Sequence, residues 1–412
     1  MSELTYLEKL LDGVKVEWQT LGKVLKRTKG TKITAGQMKA LHKDNAPLKI
    51  FAGGKTVAFV DFKDIPEKDI NREPSIIVKS RGIIEFEYYD KPFSHKNEMW
   101  SYHSNNDAIS IKYIYYFLKI NEGYFQKIGG KMQMPQIATP DTDKFEVPIP
   151  CPDNPEKSLA IQSEIVRILD TFTALTAELT AELTAELNMR KKQYNYYRDQ
   201  LLSFDTEDVP HLPMGQKDIG EFIRGGTFQK KDFMDAGVGC IHYGQIYTYY
   251  GTYTKKTKTY ISAALAKKCK KAQKGNLIIA TTSENDEDVC KAVAWLGSED
   301  IAVSSDACIY KHNLNPKYVS YYFQTEQFQN QKRQYITGAK VRRVNADNLS
   351  KILIPVPSME VQERIVSILD KFDTLTYSIT EGLPREIELR QKQYEYYRDL
   401  LFSFPKPETV SN

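Results

Sequence analysis

The feature that most constrains this chain is a long internal repeat. Ile161–Phe204, IQSEIVRILDTFTALTAEL…NMRKKQYNYYRDQLLSF, matches Val361–Phe404, VQERIVSILDKFDTLTYSI…IELRQKQYEYYRDLLFSF, without a gap at an offset of 200 residues. About half of the positions are identical. Each copy follows a strand-like exit, FEVPIPCP at Phe145 and KILIPVPS at Lys351, whose prolines stop a strand before a helix begins. Weaker echoes lie upstream: IKYIYYFLK at Ile111 against PKYVSYYFQ at Pro316, and LGKVLKR at Leu21 against IGEFIRG at Ile219. The plan is a variable domain followed by a helix, twice over.

Both repeated segments read as long helices. In the first, Ile165, Leu169, Phe172, Leu175, Leu179, Leu183 and Leu187 recur at spacings of three and four, and the second has Leu375, Ile379, Leu383 and Ile387 at the corresponding places. A narrow apolar stripe on a charged helix marks a surface that packs on another helix. Each rod would be roughly 65 Å long at 1.5 Å per residue. Antiparallel pairing would place one domain at each end. EGLPRE interrupts the second rod, where Gly382 and Pro384 are expected to kink or restart it. The first carries TAELTAELTAEL, Thr176 to Leu187, a unit of good helix formers that continues the leucine stripe.

The variable domains mix strand-like runs with short helices. KTVAFVDF, PSIIVKS and GIIEFEYY read as strands in the first, and NLIIATTS and DIAVSSDACIY in the second. IKYIYYFLKINEGYFQKI and NPKYVSYYFQTEQFQNQKR read as helices. The expected class is α+β: two globular α/β-mixed domains joined by two long antiparallel helices in a coiled coil, with a pseudo-twofold internal repeat. The expected boundaries are 1–158 for the N-terminal segment and first domain, 159–205 for the central helix, 206–358 for the second domain, 359–404 for the C-terminal helix and 405–412 for a tail.

Catalytic signatures are missing from the sequence. AGGKT at Ala52 resembles the end of a phosphate-binding loop, but Lys49 stands where the earlier glycine is required, so a turn before the strand TVAFVDF is preferred. Pro140-Asp141 and Pro152-Asp153 are not followed by the acid-x-Lys of a nuclease site. His42, His95, His103, His211, His242 and His312 form no metal-ligand spacing, and G-x-S-x-G does not occur. Five widely spaced cysteines, never C-x-x-C, suggest reduced thiols rather than disulfides or zinc. No apolar run spans a membrane and the start lacks a signal peptide, which points to the cytoplasm.

What remains is recognition. The net charge is only +4, but twelve Lys or Arg face four acids between Lys217 and Lys274, whereas SENDEDVC around Asp286 is acidic. Basic and polar residues cluster in loops: LKRTKGTK with Arg27 and Lys29, KSRG with Lys79 and Arg81, GGKMQMPQ with Lys131, Gln133 and Gln136, YGTYTKKTKTY with Lys255, Lys256 and Lys258, and TGAKVRRVN with Lys340, Arg342 and Arg343. Lys and Arg supply phosphate contacts, while Gln and Arg have the geometry to read base edges. A single basic loop is ordinarily solvated surface. Here GGKMQMPQ and TGAKVRRVN occupy equivalent places, just before the repeated exit strand. A stand-alone DNA-modifying enzyme and a protein-binding scaffold remain alternatives at this point.

The repeated segments, with TALTAELTAEL, the two Y-x-Y-Y-R-D ends and the exit IPCPDNPEKSLAIQ, resemble the conserved regions of type I restriction-modification specificity subunits of the IC group, over the full length. The resemblance implies two target-recognition domains, each reading half of a bipartite DNA sequence. It also implies two modification subunits that bind S-adenosylmethionine and methylate adenine, and two restriction subunits that use ATP and Mg2+ to translocate and cleave. No cofactor is expected on this chain. Tyr194, Tyr196, Tyr197, Tyr394, Tyr396 and Tyr397 would either dock those partners or simply pack the helix ends. One TAEL unit is about 6 Å of helix against about 3.4 Å per base pair, so its copy number is expected to set the gap between half-sites.

Overall fold

The computed structural model describes residues 6–131, 133–377 and 381–405. Ile379 of the apolar stripe and the tail beyond Pro405 lie outside the described residues. The chain groups into two compact units, Met1–Thr180 with Leu389–Asn412, and Ala181–Glu388. The division falls within the TAEL repeat, so each unit combines one globular domain with stretches of both repeated helices.

The helices that position the rest are α1 (Ile111–Ile120), α2 (Glu122–Gly129), α3 (Pro155–Leu201), α4 (Pro316–Tyr322), α5 (Glu326–Arg333), α6 (Met359–Tyr377) and α7 (Gly382–Leu401). Their starts follow local chemistry. Ser110 caps α1 by accepting from the Tyr113 N–H, Asn315 caps α4 ahead of Pro316, and Thr325 caps α5. The expected interruption between α6 and α7 is present. Gly382 sits at φ +78°, where a Cβ would lie 2.6 Å from the Thr374 carbonyl oxygen, so only glycine can turn the chain there.

In unit 1, β1 (Val16–Thr20) pairs antiparallel with the exit strand β9 (Glu146–Pro150). The exit strand tolerates Pro148 and Pro150 because β1 is its single partner. Between them lie β2 (Lys26–Lys29), β3 (Leu48–Phe51), β4 (Val57–Val60), β5 (Ser75–Lys79), β6 (Glu85–Tyr89), β7 (Phe93–His95) and β8 (Trp100–His103). These form one sheet of order β2-β8-β5-β6 and a second of order β4-β3-β7. All of SIIVK in β5 is buried, as expected of a central strand covered on both faces. The AGGKT segment is a turn, with Gly54 at φ +65° and the Ala52 N–H donating to the Thr56 carbonyl.

Unit 2 repeats this plan. Its strands are β10 (His211–Pro213), β11 (Gly220–Arg224), β12 (Val238–Ile241), β13 (Tyr253–Thr254), β14 (Thr259–Ile261), β15 (Lys271–Ala272), β16 (Leu277–Ala280), β17 (Thr282–Ser283), β18 (Ala292–Trp295), β19 (Ile301–Val303), β20 (Ala307–His312), β21 (Arg342–Arg343) and the exit strand β22 (Leu353–Pro355). The sheets β11-β20-β16-β18-β13 and β14-β12-β19-β15 carry the order of unit 1, each with one added edge strand. In both units the second sheet contains one parallel pair, β3 with β7 and β12 with β19.

The registers correct one sequence expectation. Val16 pairs with Pro150 where His211 pairs with Pro355, and Gly30 and Gly225 occupy the same crossing between sheets. Lys29 is therefore the counterpart of Arg224, and the match of LGKVLKR to IGEFIRG is three residues out of register. The reason is that Leu21–Val24 folds as a helical turn, whereas Gly220–Arg224 is already strand. Similar letters had aligned dissimilar structures.

Each domain is seated on its helix by the same polar contacts. The Ser110 N–H donates to Gln162 Oε1 at 2.9 Å in unit 1, and the Asn315 N–H to Gln362 Oε1 at 2.8 Å in unit 2. Asp170 accepts from Lys112 Nζ at 2.7 Å and from the Tyr116 hydroxyl. Asp370 likewise accepts from Lys317 Nζ at 2.6 Å and from the Tyr321 hydroxyl at 2.7 Å. Tyr113 and Tyr318 donate to the carbonyls of Pro148 and Pro355, tying helix to exit strand. Charge-assisted, half-buried bonds of this kind fix geometry as well as contributing stability.

Within each unit the repeated helices run antiparallel. In unit 1 the Phe172 and Tyr397 rings lie 5.8 Å apart and Thr173 Oγ1 meets the Tyr394 hydroxyl at 3.0 Å. In unit 2 Tyr197 meets Phe372 at 5.9 Å and Tyr194 meets Tyr377 at 5.6 Å. Of the TAEL leucines, Leu179, Leu183 and Leu187 are half-buried, and Leu175 just ahead of them is exposed.

Candidate nucleic-acid interface

In unit 1 two loops far apart in sequence meet at the end of the central strand β5. The Gly82 N–H donates to the Pro135 carbonyl at 2.9 Å and the Ile137 N–H to the Ser80 carbonyl at 3.0 Å, which sets Arg81 opposite Gln136 in an antiparallel bridge. Arg81, Lys131, Gln133 and Gln136 are exposed there, and Met132 lies outside the described residues. Arg81 Nε contacts the Met134 sulfur at 3.1 Å. Lys29 lies at the same end of the sheet, since Lys29, Trp100 and Val78 form one cross-strand row. It borders a groove of about 910 Å³ shared with Arg27, Lys32, Gln37, Lys68 and Asn97. Arg27 also faces Asp143 at 3.6 Å.

Lys79 does not join this surface. It is 6% exposed and clamped by Glu85 at 2.6 Å and Glu87 at 2.8 Å on the neighbouring strand β6, whereas Arg81, past the end of β5, is exposed. Those carboxylates outweigh burial and hold the Lys79 ammonium above its usual range. It is an internal ion pair rather than a phosphate contact.

Unit 2 builds the matching hairpin from TGAKVRRVN. Thr337 and Arg343 exchange backbone hydrogen bonds at 2.9 Å, and Gly338 turns the tip at φ +91°, where a Cβ would lie 2.1 Å from the Val341 carbonyl oxygen. The returning strand β21 pairs with β17, placing Arg343 opposite Thr282 where unit 1 places Gln136 opposite Arg81. Lys340 and Arg343 are exposed, and Arg342 is half-buried. Arg343 and Arg224 line a groove of about 290 Å³ with Ser305, Asp306 and Asn345.

Lys255, Lys256 and Lys258 are exposed but lie elsewhere. Strand β13 runs parallel to β18 and against β16, so the turn after Thr254 leaves where β16 begins, whereas Thr282 and Arg343 lie where β16 finishes. Lys258 Nζ instead stacks over the Tyr249 ring at 4.5 Å. Arg224, Lys32 and Lys68 were missed from the sequence. For Arg224 a usable signal existed: like Lys29 it is a basic residue directly before a glycine that crosses between sheets.

The six repeated tyrosines divide. Tyr194 is fully buried in the unit 2 core, donating to Gln324 Oε1 at 3.1 Å, so it packs and does not dock. Tyr394 is half-buried. Tyr197 and Tyr397 each lay one face on Phe372 and Phe172. Tyr196 and Tyr396 are the most exposed, at 61% and 64%.

Among the described residues no group of three or more His, Cys, Asp or Glu could hold a metal ion, and no helix is long and apolar enough to cross a membrane. The cysteines are unpaired, four of them buried. Burial holds His95 and His312 neutral, both down at about 4.

Asp373 is a departure from the repeat, which has Thr173 at the same place. Burial pushes its carboxyl from 3.8 up to about 6, against the opposing pull of the Thr252 hydroxyl donating at 3.2 Å. A carboxyl raised in the folded state favours folding most when protonated, and that contribution is lost as pH rises through about 6. Asp373→Asn is therefore expected to stabilise unit 2 by up to about 3 kcal/mol at pH 8, with the gain vanishing near pH 4. Thermal unfolding of both proteins at the two pH values checks this; an equal difference at both would refute it.

The comparisons with known proteins agree with this duplicated geometry. The family model of the type I restriction modification DNA specificity domain matches twice, at residues 15–189 and 213–389. The chain is 42% identical over 419 residues, all of both chains, to the EcoR124I/EcoR124II specificity subunit of Escherichia coli. It is 34% identical over 413 residues to the EcoprrI specificity subunit of Escherichia coli, covering 92% of this chain and 93% of the relative. A solved chain from work on complex assembly and conformational transition of the type I R-M system superposes with a TM-score of 0.65 at 11% identity, over 94% of this chain and 97% of that one. That likeness is one of fold.

Proposed function

The chain belongs to the family of type I restriction-modification DNA specificity subunits, and from that premise we propose that its two units each read one half of a bipartite duplex target. The observation that supports the assignment of the reading surface is the matched register of the two hairpins, Arg81 opposite Gln136 and Thr282 opposite Arg343, each beside a basic residue at the end of the first strand, Lys29 or Arg224. One scaffold then holds different side chains at equivalent points, which lets the two units prefer different bases while approaching the duplex alike. Lysines and arginines at the rim supply sequence-independent phosphate contacts.

Catalysis then belongs to other chains. Two modification subunits bind S-adenosylmethionine and methylate adenine, and two restriction subunits use ATP and Mg2+ to translocate and cleave, all in the cytoplasm. The exposed Tyr196 and Tyr396 offer the same aromatic feature twice, which suits two copies of one partner.

Replacing Lys340, Arg342 and Arg343 together with Ala is expected to lower affinity for the cognate duplex by about tenfold or more. Mapping of methylated adenines should show relaxed sequence in one half-site and an unchanged other half. The same treatment of Lys131, Gln133 and Gln136 should relax the opposite half. DNA affinity unchanged at low salt in both variants would favour a protein-binding scaffold instead.

A further inference from the structure

The hairpin of unit 2 does not present its three basic residues alike. Arg342 forms an ion pair with Asp286, Nε to Oδ1 at 2.8 Å, and its Nη1 donates to the Gly338 carbonyl at 2.6 Å. Lys340 and Arg343 stand exposed on either side. A guanidinium carries five N–H donors in one plane, so four remain on Arg342 after the bond to Gly338, and that bond together with the Asp286 ion pair holds the plane from behind.

Asp286 is itself held from the core. Its loop, residues 284–288, is exposed and acidic throughout except for Asn285. Asn285 Nδ2 donates to Asp288 Oδ2 at 2.8 Å and the Asp288 N–H returns to Asn285 Oδ1 at 2.7 Å, which closes the loop on itself. Beneath it Lys332 is fully buried, and its ammonium donates to the carbonyls of Glu287 at 3.0 Å and Val289 at 2.8 Å. Burying an ammonium carries a desolvation penalty of several kcal/mol. Here that charge fixes the position of a surface loop.

We propose that Asp286 is a positioning residue that makes Arg342 a reader of base edges, leaving Lys340 and Arg343 to carry the phosphate contacts of the half-site bound by unit 2. This rests on the reading that the hairpin faces DNA. The Asp286–Arg342 pair is close to neutral, so it gains little from the phosphate field, and the surrounding carboxylates of Glu284, Glu287 and Asp288 repel a phosphate from that flank. Its free N–H donors keep the paired geometry that two adjacent acceptors on a base require, with guanine N7 and O6 the best match. Unpaired, the same arginine would be one more phosphate contact.

The test uses the full-length chain co-expressed with its modification subunit, in the variants Asp286→Asn, Asp286→Glu, Arg342→Ala and Lys340→Ala/Arg343→Ala. Asp286→Asn is expected to reduce discrimination at one base pair of one half-site by about tenfold in mapped adenine methylation, and to steepen the salt dependence of binding by about one in log–log slope. Asp286→Glu should restore both. Arg342→Ala should relax the same base pair with little change of slope, whereas the Lys340/Arg343 variant should make the slope shallower by about two and keep base preference. If Arg342→Ala relaxes a base pair that Asp286→Asn leaves intact, the positioning role is wrong while the recognition surface stands. If none of the variants alters either half-site or the slope, the hairpin does not face DNA and both readings fall.

Discussion

Deleting Thr176–Leu179, one TAEL unit, is expected to abolish methylation of the original target and to create a new one with the same two half-sequences and a gap shorter by one or two base pairs. Helix α3 runs from Pro155 to Leu201 and contributes Ile161, Ile165 and Leu169 to the unit 1 core and Tyr194 to the unit 2 core. Its length therefore sets how much helix separates the two cores along the chain. Four residues are about 6 Å of helix, against about 3.4 Å per base pair, and they leave the stripe rotated by about 40° because four residues exceed the 3.6 of a turn. The unit removed carries no fully buried side chain, so the change acts on spacing with little loss of either core. Inserting a fourth unit should lengthen the gap by the same amount. Genome-wide maps of methylated adenine check both, and an unchanged gap would rule the relation out.

Gly225→Ala is expected to destabilise unit 2 by about 3 kcal/mol or more while sparing unit 1. A Cβ at Gly225 would lie 2.1 Å from the Ser304 carbonyl oxygen and 2.5 Å from that of Val303, at the crossing where the Gly226 N–H donates to the Val303 carbonyl at 2.7 Å. The obstacle is backbone on a buried strand, so no side-chain rotation relieves it. The result would be a separate, earlier thermal transition and loss of specificity in one half-site only. Gly30→Ala should do the same to unit 1, with its Cβ 2.3 Å from the Lys96 carbonyl oxygen. Wild-type unfolding in either variant would refute the equivalence of the two crossings. Because the sites lie in separate units, the double variant should show both losses independently.

Much of the architecture was legible in advance. The strands around SIIVK and NLIIA, the paired short helices, the proline-bearing exit strands and the break at Gly382 all came from local patterns: apolar runs, caps, and residues with restricted backbones. The equivalence of the GGKMQMPQ and TGAKVRRVN loops was legible from their position before the repeated exit. Less could be read of individual side chains. Lys79 and Arg81 are two residues apart, yet one is sealed under two glutamates and the other faces solvent, and nothing local says where β5 ends. Lys255, Lys256 and Lys258 form a basic loop like the others in the sequence, but strand direction puts them at the opposite end of the sheet from Thr282 and Arg343.

By itself the sequence determined that this chain is a duplicated pair of α+β domains on long helices, because identity at an offset of 200 and apolar spacing are properties of the chain alone. Only the tertiary structure decided that Tyr194 packs a core while Tyr196 stays exposed, that Lys29 answers to Arg224 three residues away from the apparent match, and that Arg342 is held by Asp286. Each of these rests on partners remote along the chain, brought together by strand pairing and by the burial of charges such as Lys332. Periodicity fixes what an element is; which of its side chains remain for DNA is settled by what folds against it.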